Sequence, residues 1–200
     1  MSHVLFRSTG GTVALPDAKT IMIDRRDGGQ LVVHPLRRVW DRTALEAAEL
    51  AQWHFLVAAV AGAMLDTLPQ LCDGCVNYWD AGNWALNADA PPAGPKTGPA
   101  HRVLHQHVIG RSPYSADPSW AWGESPFYPS FKNRFAWSAA KAQLTAAECD
   151  VVVARLTHLL LDRYGVDAVP SGVCAQCSYP TPSADLAAGA CPACRMADTP

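Results

Sequence analysis

The stretch "VLHQHVIGR", residues 103–111, decides how the rest of the chain is read. It has β-branched residues near both ends, which suits a strand, and a strand sends successive side chains to opposite faces. Val103, His105, His107 and Ile109 then share one face, while Leu104, Gln106 and Val108 share the other. Two imidazoles two residues apart on one face sit within about 7 Å, close enough to act on one small molecule. His101 falls ahead of this strand, in the loop that leads into it.

The flanking segments supply an α+β pattern. "CVNYW" (75–79) reads as a strand, and "DAGNWALNADAPPAGPKTGPA" (80–100), dense in Gly, Pro and Asn, as a loop. "RSPYSADPSWAWGESPFYPSFKNR" (111–134) is Pro-punctuated and irregular, yet too aromatic for a disordered linker. Upstream, the runs Ile21–Ile23 and Leu31–Val33 flank Asp27-Gly28-Gly29 and predict a hairpin. Thr43 and Glu46 have capping-box spacing, and Leu50, Trp53, Val57, Val60 and Met64 recur at helical steps up to a stop near Pro69. A second helix follows a second box, Thr145 and Glu148, buries Val152, Leu156 and Leu159, and ends at Gly165.

A chain of 200 residues suits one main domain with a small appendage. No apolar run approaches the roughly 18–20 uncharged residues of a membrane span. The first residues lack the charged start and apolar centre of a signal peptide, so a cytoplasmic protein is expected. A net charge of −2 supplies no global basic field, which argues against nucleic acid as the partner.

Six of the 7 cysteines fall in C-x-x-C pairs. Cys174/Cys177 and Cys191/Cys194 are separated by "SYPTPSADLAAGA", long enough to fold back and bring four thiolates together. That spacing predicts one structural zinc per chain, bound tetrahedrally with no open position. The tail 166–200 is therefore expected to be a small zinc-ribbon or knuckle module, distinct from a main domain over 1–165. Cys72 and Cys75 stand without a second pair nearby and are expected to be small buried residues beside a strand. His34 and His54 read as structural histidines, and His3 as a terminal residue without a signal.

"HQHVIGR" resembles the terminal part of the histidine-triad signature, in which His alternates with apolar residues before a Pro-Arg or Gly-Arg pair. "GGQLVVHPLRRVWDRTALEAAEL" is similar to that superfamily's glycine-led strand, proline turn and capped helix, and "GNWALN" to its asparagine-bearing segment. "RSPYSADPSWAW" looks like the segment that follows the motif in bacterial dinucleoside polyphosphate hydrolases. The resemblance covers residues 20–164 and leaves the cysteine tail outside. It implies a HIT-like fold, an antiparallel sheet with two main helices, usually dimeric. It also implies hydrolysis or nucleotidyl transfer on a nucleotide phosphate, through a nucleotidyl-histidine intermediate.

Carried over residue by residue, the nucleophile is His105, and His107 matches the last histidine of the triad. The first triad position is Val103, and the histidine expected after the proline turn is Arg38. Candidate substrate contacts are Asn87, Lys96, Arg102 and Arg111, with Trp84 placed to stack on a base. Two other functions use the same scaffold. A metalloenzyme would hold its ion with His101, His105 and His107, helped by Cys72, Cys75 or Asp89. A non-catalytic module would bind a nucleotide without turning it over.

Overall fold

The computed structural model describes residues 3–80, 82–169 and 171–197. β1 (Val4–Ser8), β2 (Gly11–Ala14), β3 (Gln30–His34), β4 (Cys75–Trp79) and β5 (Gln106–Arg111) form one antiparallel sheet in the order β1-β2-β3-β5-β4. Two long helices, α1 (Ala47–Thr67) and α4 (Ala146–Tyr164), cover one face. Leu31, Val33 and Val108 point into that layer and meet Trp53, Leu56, Val60 and Met64 of α1 and Val152, Leu156 and Leu160 of α4. The fold is thus α+β, as the pattern implied. Two short helices, α2 (Gly98–His101) and α3 (Arg134–Ala139), lie in the connections.

α4 follows its sequence signals. The Thr145–Glu148 box is closed in both directions, and Gly165 ends the helix in the left-handed region at φ 62°. α1 starts differently from expectation. The Asp41 carboxylate accepts from both the backbone and the hydroxyl of Thr43, drawing it into a 3-10 turn, so Glu46 and Glu49 form the capping box instead. Contrary to the expectation that no run approaches membrane-span length, α1 is long and apolar enough, at a mean hydropathy of 1.3, to cross a bilayer by length and composition. Eight of its side chains are buried in the core.

Two strand expectations need correction. Ile21–Ile23 is not a strand; the Met22 N–H is taken by Gln30 Oε1 at 2.8 Å, and β3 pairs with β2 and β5. β5 begins at Gln106, so Val103, Leu104 and His105 lie just ahead of it. There Leu104 N–H donates to the Val39 carbonyl at 2.8 Å, outside the ladder. The turn before β3 is pressed against β5: a Cβ on Gly28 would lie 2.1 Å from the Gly110 carbonyl oxygen. Only glycine permits that approach, and at Gly28 φ is 146°.

The cysteine tail folds as a hairpin, β6 (Ser171–Val173) with β7 (Pro180–Pro182), and a short helix, α5 (Pro192–Ala197). It packs onto edge strand β1. Val169 N–H donates to the Arg7 carbonyl at 2.9 Å, and the Arg7 guanidinium reaches both Asp185 oxygens at 3.1 and 2.9 Å. The Tyr179 hydroxyl donates to the Leu144 carbonyl, ahead of α4, at 3.1 Å. One exposed sheet edge is thereby covered, a place where open strands otherwise recruit other chains.

Candidate active site and metal centre

On the sheet face turned away from α1 and α4, strand parity puts Gln30, Val32 and His34 of β3 beside His107 and Ile109 of β5. Ile109 packs with Met22, Ile23 and Trp120 in a second small core, against which Trp79, Trp84 and Tyr128 lie. Between these aromatics and the histidines is a cavity of about 340 Å³. Its walls include Thr20, Met22, Trp79, Asn83, Trp84, Tyr128, His105 and His107. Trp79 stacks on Tyr128 with centroids 4.1 Å apart and meets Trp84 edge-on.

A single hydrogen-bond chain orders the two histidines. Met22 N–H donates to Gln30 Oε1, so the Gln30 amide nitrogen faces His107 Nδ1, at 2.7 Å. An amide nitrogen only donates, so His107 Nδ1 accepts and the proton of the neutral ring sits on Nε2. His107 Nε2 lies 3.1 Å from His105 Nε2 and donates to it. At the far end His105 Nδ1 lies 2.7 Å from the Val103 carbonyl oxygen, which only accepts. A backbone donor at one end and a backbone acceptor at the other thus impose the same polarity. His105 carries its proton on Nδ1 and its lone pair on Nε2, at the cavity.

Burial, and secondarily the charges of His105 and His34, push the His107 pKa down to about 3. Burial, then His105, lowers that of His34 to about 4. His34, expected to be merely structural, has its ring centroid 5.7 Å from that of His105. The pair in the sequence is a cluster of three in space, His34, His105 and His107. The signal for the third was the shared parity of Gln30, Val32 and His34 in "GGQLVVHPL", which became meaningful only once β3 paired with β5.

The other candidates separate. Trp84 lines the cavity, and Asn83, not singled out in the sequence, lines it beside Trp84. The Asn87 side chain instead accepts from Asp89 N–H at 2.9 Å. Lys96 Nζ is held by the carbonyls of Asn87 and Ala90 at 2.7 and 2.8 Å. Arg111 is buried and its guanidinium donates to the carbonyls of Ala121 and Glu124, fixing that loop. Arg102 flanks Gly82, a wall residue, and pairs with Asp41 at 3.8 Å. His101 lies in α2, its Nδ1 3.1 Å from the Thr97 carbonyl oxygen. His54 Nδ1 lies 2.8 Å from the Leu50 carbonyl oxygen in α1. Cys72 and Cys75 are exposed, contrary to the expected burial, because β4 is an edge strand and Cys72 precedes it on a surface turn.

Among the described residues, Cys174, Cys177, Cys191 and Cys194 form the one group of three or more potential ligands close enough to hold a metal. Their sulfurs lie within 4.8 Å of one another. Two of the separations are 3.8 Å. A tetrahedron with metal–sulfur bonds of about 2.3 Å has edges of about 3.8 Å, so the donors fit one ion. His3 packs beside this group, Nδ1 3.7 Å from Cys191 Sγ and Nε2 3.4 Å from Thr181 Oγ1. The N-terminal segment is therefore tied to the metal module.

No protein-family model matches the chain, and no curated protein matches it.

Two outcomes follow from this geometry. In the unfolded chain each histidine titrates near 6.5, whereas the folded values are about 4 for His34 and about 3 for His107. Between these limits the unfolded state holds more protons, so stability rises with pH and is lost on acidification from about 6.5. Each histidine contributes a slope of up to about 1.4 kcal/mol per pH unit in that window. Urea unfolding of His107→Gln should lose one proton's share of the dependence; an unchanged slope would contradict it. For the thiolates, elemental analysis should give one divalent metal per chain. Cys177→Ser should lose the metal and several degrees of melting temperature, whereas an equally stable metal-free protein would show that the cluster is not structural.

Proposed function

We propose that the chain is a histidine-triad-like enzyme that cleaves or transfers a nucleotidyl group, hydrolysis first, through an intermediate on His105. The observation that carries this reading is the polarised chain from Met22 to Val103, which puts the His105 lone pair on Nε2, shared with His107 Nε2–H, at the wall of an aromatic cavity. The Val103 carbonyl fixes the nucleophile's tautomer, so the lost side chain at position 103 does not leave Nδ1 unpaired.

In the first step His105 Nε2 forms a bond to phosphorus, and the bond to the leaving group breaks with its electron pair, which takes a proton from water. His107 Nε2–H, released from the His105 lone pair, is then free to donate to a phosphoryl oxygen. In the second step water attacks phosphorus, the P–N electron pair returns to Nε2, and the water proton leaves to solvent. Trp84 and Tyr128 offer faces for a base, each contact worth about 1–3 kcal/mol.

The cavity narrows the substrate. It is at the small end of ligand sites, which run from about 300 to 1,000 Å³. No lysine, arginine or carboxylate is among the described residues that wall it, and Lys96 and Arg111 are committed to carbonyls. This favours an ester or amide of a nucleoside monophosphate over a long polyphosphate. The metal is assigned as zinc on its four thiolates, with a structural role only. A homodimer is the expected assembly, and β4 is the sheet edge left uncovered by the metal module.

A nucleotide panel screened by melting temperature, with phosphorus NMR on each hit, tests the assignment. Wild type should turn over at least one nucleoside monophosphate conjugate and yield an acid-labile nucleotidyl adduct. His105→Ala should keep binding and lose turnover by at least about a thousandfold. Full activity in that variant would overturn the assignment, and binding without turnover in wild type would make the chain a nucleotide-binding module.

A further inference from the structure

His34 is the last residue of β3 and takes no part in the chain that orders His105 and His107. Val33 pairs with Gln106, so continuing that register by one residue sets His34 across from His105. Directly opposite side chains on an antiparallel pair are about 4.5–5.5 Å apart at Cβ, close enough for ring contact. The two ring planes are tilted by only 33°, with centroids 5.7 Å apart. Leu104, the residue just before His105, is fixed by its N–H on the Val39 carbonyl and by its buried side chain.

One face of β3 therefore serves both histidines, with Gln30 on His107 and His34 against His105. We propose that His34 is a positioning residue for His105, a neighbouring imidazole that holds the ring of the nucleophile where Val103 provides no side-chain partner. This role rests on His105 being the nucleophile. His34 is not among the residues that wall the cavity, so it acts through His105 and not on the ligand. Burial keeps it neutral near pH 7, so it adds no charge against the cation that forms on a nucleotidylated His105.

The test compares His34→Ala and His34→Phe with wild type, on turnover of whichever nucleoside monophosphate conjugate is active and on solvent exchange of the His105 Nδ1 proton without ligand. His34→Ala should lower kcat about tenfold with KM within about twofold, and should speed that exchange at least about tenfold. His34→Phe retains the ring and should recover kcat to within about threefold of wild type. Melting curves identify any loss due to unfolding, in which case the Phe variant alone decides: recovery supports positioning, and a kcat as low as in the Ala variant overturns it. Unchanged kcat and exchange in His34→Ala, or a rise in KM alone, would also overturn it. An inactive wild type whose His105 proton still exchanges faster in His34→Ala would remove the nucleotidyl reading and leave the positioning role standing.

Discussion

The site depends on one strand pairing. β3 and β5 run antiparallel with Val32 opposite His107, and that register alone places Gln30 and His34 on the face that carries His107. A slip of one residue would turn all of these side chains into the helix-covered core and Leu31, Val33 and Val108 out of it. The core thus fixes the register on one face, and the histidines exploit it on the other. The Gln30–His107 bond is the polar counterpart of this pairing. Removing the Gln30 amide would strand both His107 Nδ1 and the Met22 N–H in a buried setting, at about 1–3 kcal/mol each.

Much of this could be read from the chain and some could not. Helix α4 carried its own box and its own glycine, and β4 and the core of β5 were read as strands, the latter from the β-branched residues near its ends. Residues 21–23 looked like a strand because "TIMI" has the right composition, but a side-chain amide, not a neighbouring strand, takes the Met22 N–H. The hairpin of β1 and β2, strands of five and four residues, went unread. Lys96 and Arg111 looked like phosphate ligands because a cation in a Gly- and Pro-rich loop usually faces solvent. Both instead satisfy carbonyls of the loops they belong to or cross. His34 was invisible because its partner lies more than seventy residues away and outside the ladder.

The metal module is more than an appendage. It covers the β1 edge, engages Arg7 and His3 near the N-terminus, and reaches Leu144 at the approach to α4. Leu144 in turn packs against Gly29, next to Gln30 in sequence: a Cβ on Gly29 would lie 2.5 Å from its side chain. The four thiolates thus sit at one end of a continuous run of contacts that ends on the hydrogen-bond chain of the histidines. Their spacing was legible in the sequence, whereas the surface they cover was not, since docking is set by exposed backbone and not by motif.

The polarity of the chain between Met22 and Val103 is the central claim, and nitrogen NMR of the histidine rings reads it directly. In the ligand-free protein at pH 7, His105 should be the Nδ1–H tautomer with an unprotonated Nε2, and His107 the Nε2–H tautomer. His105 protonated on Nε2, or His107 protonated on Nδ1, would contradict the account, because the nucleophile's lone pair would then point away from the cavity or lose its donor.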